Sequence, residues 1–373
     1  MRSTRRSSGD ESPLPLAVTV VVAQCRAGFE PEAAADLTRV AAQAQCALDV
    51  DALPGRGYVL ARCDGFDRRR WARAAAASPP VFIRSSFVGT GSHALVDAAR
   101  REKTDRVAPL IGAIVALANS PYSVVWMEFP DTNEGKAMST LARALLPRIE
   151  ARLRECAMLD TRATRRLQVF LPDGGAAFVG TSDAATGSRW PMGIARLRMP
   201  HGAPSRSTLK LAEAFIVFLG ERETTLLRPG LRAVDLGSAP GGWTWQLAQR
   251  GIRVAAIDNG VLKGEIASDP LVTHVRDDGL KWRPRRPVDW LVCDIVLQPK
   301  RIAALVADWI ADGAARRAIF NLKLPMKKRY DEVERARVAM SETLTRAGLR
   351  FELVFRQLYH DREEVTGYVA RID

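Results

Sequence analysis

The stretch AVDLGSAPGGWTWQLAQRGIRVAAID, Ala233 to Asp258, limits the possible folds more than any other. A short apolar run ends in Asp-Leu-Gly, and a glycine-rich turn follows. An amphipathic segment opened by Trp243 comes next, and a second apolar run stops on Asp258. That pattern reads as strand, turn, helix, strand. The rhythm holds from Leu209 to the C-terminus. Helix TLKLAEAFIVFLGER precedes strands RAVDLG, RVAAID, VTHVRD and VDWLVCDI; helix RIAALVADWIADG, strand AIFNLKL, helix YDEVERARVAMSETLTRAG and strands FELVFRQLY and VTGYVAR complete the unit. Such alternation predicts an α/β, Rossmann-like, doubly wound and mainly parallel sheet.

In a sheet of this kind ligands bind beyond the carboxyl ends of the strands, at the first glycine-rich turn. Gly237, Gly241 and Gly242 allow close approach of a ligand to the backbone. Their spacing, G-x-x-x-G-G, departs from the G-x-G-x-x-G that holds a dinucleotide pyrophosphate, which disfavours a nicotinamide oxidoreductase. Asp258 lies 21 residues after Gly237 and ends the second strand, where a carboxylate accepts ribose hydroxyl protons. With Asp235 before the turn, the set suits S-adenosylmethionine, a ligand with an amino-acid end, a ribose and a cationic sulfonium. Asp278, after the third strand, is placed for the adenine. Ser207, Ala239, Pro240, Trp243 and Asp294 complete the expected donor contacts.

The first half reads differently. Residues 1–15 are polar and read as a disordered tail. Over residues 16–87, strand VTVVVAQC, helix EPEAAADLTRVAAQA, strand GYVLARC, helix DRRRWARAAAA and strand VFIRSSFVG suggest a ferredoxin-like unit. Residues 88–190 form a second α+β block. Its elements are helix ALVDAARREKTDRVAPLIGAIVALA, strand YSVVWMEF, helix STLARALLPRIEARLREC and a hairpin about Asp173-Gly174-Gly175. Residues 191–204, rich in Pro and Gly, read as a linker to a catalytic unit over 205–373.

Lys and Arg outnumber Asp and Glu by 55 to 42, a net charge of +13, which points to a polyanionic partner. Clusters RATRR (Arg162–Arg166), RPRRP (Arg283–Pro287) and KKR (Lys327–Arg329) are candidate phosphate contacts. Five scattered cysteines and four dispersed histidines carry no metal-ligand spacing, so no metal is expected. No apolar run approaches the ~20 residues that span a bilayer. The start imitates a signal peptide, but Asp10, Glu11 and Gln24 spoil it, so a cytoplasmic protein is expected.

From about Ser205 onward the chain resembles the FtsJ-like RNA 2'-O-ribose methyltransferases of class I. That family carries a Lys-Asp-Lys-Glu tetrad, matched here by Lys210 in SRSTLK, Asp294 in LVCDI, Lys323 in FNLKLPMKK and Glu364 in DREEV. Glu364 precedes the valine as in the family pattern; Glu363 is its neighbour. CRAGFE, DTNEGK, PMGIARL, PSRSTLKL, FNLKLPMKKRYDEV and QLYHDREEVT, spanning Cys25 to Thr366, resemble the ribosomal RNA large subunit methyltransferase M family. Two departures are the tail before Val18 and Ala239, where members carry cysteine. The resemblance implies a ferredoxin-like domain and a THUMP RNA-binding domain before the methyltransferase. It also implies 23S ribosomal RNA as substrate, with the ribose of cytidine 2498 as target. A monomer without an obligate protein partner is the expected assembly.

The chemistry supports the tetrad. A ribose 2'-hydroxyl must lose its proton as it attacks a methyl carbon. Lysine can take that proton only when neutral, so burial and nearby cations (Lys210, the sulfonium) are expected to lower the pKa of Lys323. Arginine could not serve. Asp294 is expected to orient Lys323, and Glu364 to position Lys210 or the ribose. Amino-nitrogen methylation would call for Asn/Asp-Pro-Pro-Tyr/Phe where CDIVLQP stands, and Cys293 reads as core rather than as a pyrimidine nucleophile. The contrasting reading, an inactive RNA-binding assembly factor, is opposed by the intact tetrad.

Overall fold

A computed structural model describes residues 19–96, 105–118 and 120–372 of the 373; the expected tail lies outside them. The described residues begin with β1 (Thr19–Gln24), α1 (Glu30–Ala44), β2 (Ala47–Asp51), β3 (Tyr58–Asp64), α2 (Arg68–Ala77) and β4 (Ser85–Ala94). This is the ferredoxin-like order, and the strands pair as β2-β3-β1-β4. The next block holds α3 (Val107–Leu117), β5 (Val125–Glu128), α4 (Asn133–Lys136), α5 (Met138–Glu155), β6 (Arg165–Phe170) and β7 (Ala176–Asp183).

The two blocks do not have separate sheets. β4 pairs antiparallel with β7, so a single seven-stranded sheet runs β2-β3-β1-β4-β7-β6-β5, and the boundary expected at 87/88 falls inside β4. The ladder explains this: β4 continues to Ala94, which faces Ala176, the first residue of its antiparallel partner β7. The long helix was expected from Ala94, which instead ends β4; residues 97–104 of that helix lie outside the described residues. α3 runs from Val107, with Pro109 in its first turn where no amide is needed. The hairpin turn forms as expected, Asp173 Oδ1 accepting from the amides of Gly175 (2.7 Å) and Ala176 (3.0 Å).

The expected linker is docked rather than loose. Met192, Ile194 and Ala195 are buried. The Met192 amide donates to Glu128, a buried carboxylate that also accepts from Gln24 Nε2 (3.0 Å) and Gln168 Nε2 (2.8 Å). One carboxylate thus fastens the segment to β1 and β6, and burial raises its pKa.

The second half contains α6 (Thr208–Ala214), α7 (Glu223–Leu226), β8 (Arg232–Leu236), α8 (Gly242–Ala248), β9 (Arg253–Ile257), β10 (Val272–Val275) and β11 (Val288–Cys293). α9 (Pro299–Ala311), β12 (Ala315–Lys323), α10 (Arg329–Arg346), β13 (Arg350–Arg356) and β14 (Glu364–Ile372) follow. The sheet runs β10-β9-β8-β11-β12-β14-β13, parallel except for β14, which is antiparallel to both its neighbours. Along β11 the burial alternates between faces. Leu291 and Cys293 join the core under α9 and α10, whereas Trp290 and Val292 join the core under α6 and α8. Both faces are covered, which is why the strands are apolar throughout. The helix expected over TLKLAEAFIVFLGER widens after Ala214 into a π turn, Phe215–Leu219, that sets Phe215 against Trp290 and Phe218 against Tyr368.

The ferredoxin-like unit packs on the catalytic unit through this core. Phe29 and Phe82 share a cluster with Val333 and Phe355. Arg329 stacks on Phe29 at 4.0 Å, and the Gln357 amide donates to the Val81 carbonyl (2.8 Å).

Candidate active site

The order of the second sheet reverses at β8, which has β9 on one side and β11 on the other. The crevice at the carboxyl end of such a reversal is the ligand position of open α/β sheets. The turn that leaves β8 lies in this crevice. Gly237 has φ +76° and a Cβ there would come within 2.6 Å of Ile295 Cγ1; a Cβ on Gly242 would come within 2.5 Å of both Ser205 Oγ and Ser207 Oγ. Only glycine leaves this cradle open. Between them Ala239 and Pro240, joined by a cis bond, remain partly exposed.

Asp258 reaches back to this turn. Its Oδ2 accepts from the Ala239 amide (3.0 Å) and its Oδ1 from the Gly260 amide (2.7 Å), so it shapes the loop as well as facing it. Asp278, after β10, is partly exposed and accepts from the Leu280 amide (2.9 Å). Asp235 is fully buried. Its Oδ2 accepts from Thr244 Oγ1 (2.6 Å), while its Oδ1 is buried with no partner, and burial pushes the carboxyl up to about 7. A glycine cradle beside an unfilled acidic acceptor fits a ligand with a cationic amino-acid end, and S-adenosylmethionine has that chemistry. Trp243, expected among the donor contacts, has its indole in the core with Leu211 and Leu247. Its Nε1 donates to the Ser207 carbonyl (3.1 Å), so the ring ties α8 to the start of α6 and leaves only its backbone toward the turn.

The four tetrad positions come together from four elements at one edge of the sheet. Lys210 projects from α6, Asp294 follows β11, Lys323 ends β12 and Glu364 begins β14. Lys210 Nζ donates to Glu364 Oε2 and lies 3.7 Å from Asp294 Oδ1. Burial works to lower the Lys210 pKa, but the Asp294 charge and the Glu364 hydrogen bond overcome it and hold the ammonium above lysine's ordinary value. Burial in turn raises Asp294 against the pull of Lys210.

Two expectations about this group need correction. Lys323, not Lys210, was expected to be buried; it is exposed, because it is the last residue of β12 at the rim of the cleft. Asp294 was expected to orient Lys323. It is instead held by Lys210 and by Asn321 Nδ2 (2.8 Å), and no ion pair of Lys323 occurs among the described residues. Glu363 points toward Arg329 at 4.0 Å, and Glu364 is the glutamate that meets Lys210.

Several participants were not anticipated. Asn321 precedes Lys323 by two residues, the spacing that puts both on one face of a strand. The Thr366 hydroxyl lies between Asn321 Oδ1 (2.8 Å) and Asp361 Oδ2 (2.9 Å), and burial raises the Asp361 carboxyl well above its usual range. Glu213, buried one turn beyond Lys210, holds the loop that leads into Glu364. The surrounding cavity, about 920 Å³, is lined by Ser207, Lys210, Lys323 and Glu364, and by Arg26 and Lys136 from the first half.

Two of the basic clusters are partly structural. Arg166 stacks on Trp126 (4.5 Å) and donates to the Ala184 carbonyl (2.5 Å), and Arg329 is mostly buried against Phe29. Among the described residues no group of three or more His, Cys, Asp or Glu is placed to hold a metal, and no helix is long and apolar enough to cross a membrane.

Residues 203–323 match the family described as FtsJ-like methyltransferase. Residues 105–183 match "Ribosomal RNA large subunit methyltransferase M, N-terminal", and residues 18–87 match "RlmM ferredoxin-like domain". The chain is 46% identical to the ribosomal RNA large subunit methyltransferase M of Laribacter hongkongensis over 94% of its own length and 97% of the relative's. It is 46% identical to that of Methylococcus capsulatus over 94% and 98%, and 44% identical to that of Aromatoleum aromaticum over 96% of each.

Proposed function

The chain belongs to the ribosomal RNA large subunit methyltransferase M family, and from that premise we propose that it methylates the ribose 2'-hydroxyl of one cytidine in 23S ribosomal RNA, with S-adenosylmethionine as methyl donor. The observation that carries this reading is the convergence of Lys210, Asp294, Lys323 and Glu364 beside the Gly237–Gly242 turn.

The turn, Asp235, Asp258 and Asp278 would hold the donor, with Ser207 beside it. S-adenosylmethionine supplies there a methyl carbon carried on cationic sulfur. Lys323 Nζ receives the 2'-hydroxyl proton as that oxygen becomes the nucleophile. In the free protein Lys323 is open to water at the rim of the cleft. Lys210, held by two carboxylates, keeps those carboxylates in register and leaves Lys323 as the amine free to accept a proton. The part-buried Asp294–Asn321 hydrogen bond fixes the end of β11 against β12 so that the reacting groups stay aligned.

Cytidine 2498 is the target implied by the family resemblance. A cleft walled by Arg26 and Lys136 as well as by Lys210, Lys323 and Glu364 admits a nucleotide only when it is splayed from its stack. In this reading the enzyme acts as a cytoplasmic monomer on free or early-assembly 23S RNA, with the 88–190 block serving as its THUMP-type RNA grip. The test offers unmodified naked 23S RNA and unmodified large subunits in parallel with labelled donor and maps ribose methylation. Label confined to naked RNA at position 2498 is the expected result. Equal incorporation into subunits would remove the early-assembly reading, and label on another nucleotide would remove the target.

A further inference from the structure

Two ties join α6 to the segment that enters β14, and they lie one helical turn apart. Lys210 meets Glu364; three residues on, Glu213 meets His360. Glu213 is buried and takes three N–H donors: its Oε1 accepts from the Tyr359 amide (2.9 Å), and its Oε2 accepts from the His360 amide (2.9 Å) and His360 Nδ1 (2.6 Å). A carboxylate accepts and does not donate, so His360 Nδ1 carries a proton, and Nε2 is the free edge of the ring. The Tyr359 ring stands edge-on to the imidazole at 5.3 Å and 85°. Arg26 donates to the Tyr359 carbonyl (3.2 Å), and the Arg84 guanidinium lies 5.3 Å from the Tyr359 ring. The imidazole is therefore held in one orientation from both sides.

Its Nε2 has no partner among the described residues and is not buried, and His360 lines the same cavity as Lys323, Lys210 and Glu364. α6 sets the spacing along that wall. Ser207, at its start, borders the donor turn at Gly242; Lys210 is in the tetrad; Glu213 comes next, and each step of three residues moves the Cβ about 5–6 Å. His360 is thus one step past the reaction centre, on the side away from the donor turn. We propose that His360 is a substrate contact. Paired with the Glu213 carboxylate, the ring holds a proton on each nitrogen when a phosphate faces it, so that Nε2–H donates to a phosphate oxygen of the nucleotide undergoing methylation, and Glu213 is the positioning residue that aims it. The assignment rests on the methyltransferase reading above.

Two substitutions separate this role from a purely structural one. In His360→Asn the amide nitrogen takes the place of Nδ1, keeping the Glu213 contact while removing Nε2. In His360→Gln the longer side chain returns a polar atom near Nε2 and gives up the Glu213 contact. Both are made in the full-length protein and assayed with unmodified 23S RNA and labelled S-adenosylmethionine, alongside donor affinity by calorimetry and the melting temperature. H360N is expected to lose roughly tenfold in kcat/KM for RNA, the scale of one hydrogen bond to a charged group, with donor affinity and melting temperature unchanged. H360Q is expected to stay within about threefold of the wild type. An H360N that keeps its kcat/KM, or an H360Q that falls as far as H360N, overturns the assignment. A wild-type protein that transfers no methyl group to RNA overturns the functional reading and the assignment with it.

Discussion

Lys323 and Glu364 stand directly opposite each other across the β12–β14 ladder, the last residue of one strand facing the first of the other. Opposed residues of an antiparallel pair project to the same face. Glu364 is already bound to Lys210, so the three side chains form a row in which the inner lysine is neutralised by carboxylates and the outer one is not. The two lysines, alike in sequence, are unlike in chemistry.

Lys323→Ala is therefore expected to cut methyl transfer by about 10²-fold or more while donor affinity stays near normal, the scale of losing a general base. Lys323→Arg should fail as badly, since a guanidinium cannot accept the proton. Single-turnover transfer with calorimetry of the donor checks both, and a fully active arginine variant would reassign Lys323 as a fixed charge.

Lys210→Met should act differently. It leaves Asp294 and Glu364 facing each other, mostly buried and without their shared cation. A loss of up to about 3 kcal/mol of stability is expected, together with lost activity. Adding Glu364→Gln to Lys210→Met should return part of the stability and none of the activity; denaturant melts of the single and double variants measure it.

Donor binding should vanish in Gly242→Val, where the new side chain would meet Ser205 and Ser207. Asp258→Ala should weaken it by more than one ribose contact is worth, because Asp258 also receives the Ala239 and Gly260 amides that shape the loop. Unchanged calorimetric affinity in either variant would count against the donor site.

Asp235 gives a pH test. Burial holds its folded-state pKa at about 7, above the ordinary aspartate value of 3.8, so the native state binds the extra proton between those values. Wild-type stability should therefore fall as pH rises from about 4 to 7, by up to about 1.4 kcal/mol per pH unit from this group. Asp235→Asn removes the titration, and its stability relative to the wild type should rise across that window and level off above pH 7. A constant difference from pH 4 to 8 would show that Asp235 does not titrate there. Donor affinity should be lost in the same variant.

A chain cut at Ser205 is expected to be unstable. The cut would uncover Val333 and Phe355, which share a core with Phe29 and Phe82, and would remove the Val81 carbonyl that receives the Gln357 amide. We expect a melting temperature well below that of the full chain, or aggregation. A fragment that melts like the full chain and binds the donor would show the two halves to be independent.

The amino-acid sequence by itself determined the second sheet, because strands covered on both faces must be apolar throughout and helices must repeat every three or four residues. The glycine turn, with Asp235 before it and Asp258 at the end of the next strand, was legible for the same local reason: a positive φ and a close approach leave only glycine. The tetrad was legible as a set of positions, through resemblance, but not as a set of partners. Which lysine is buried depends on where β12 ends and on α6 arriving from 84 residues before Asp294. No local pattern records either. The single sheet through β4 and β7, the docked linker on Glu128 and the Glu213–His360 tie were decided by tertiary structure alone. Each joins groups far apart in the chain, and only the folded packing removes the water that would otherwise satisfy them.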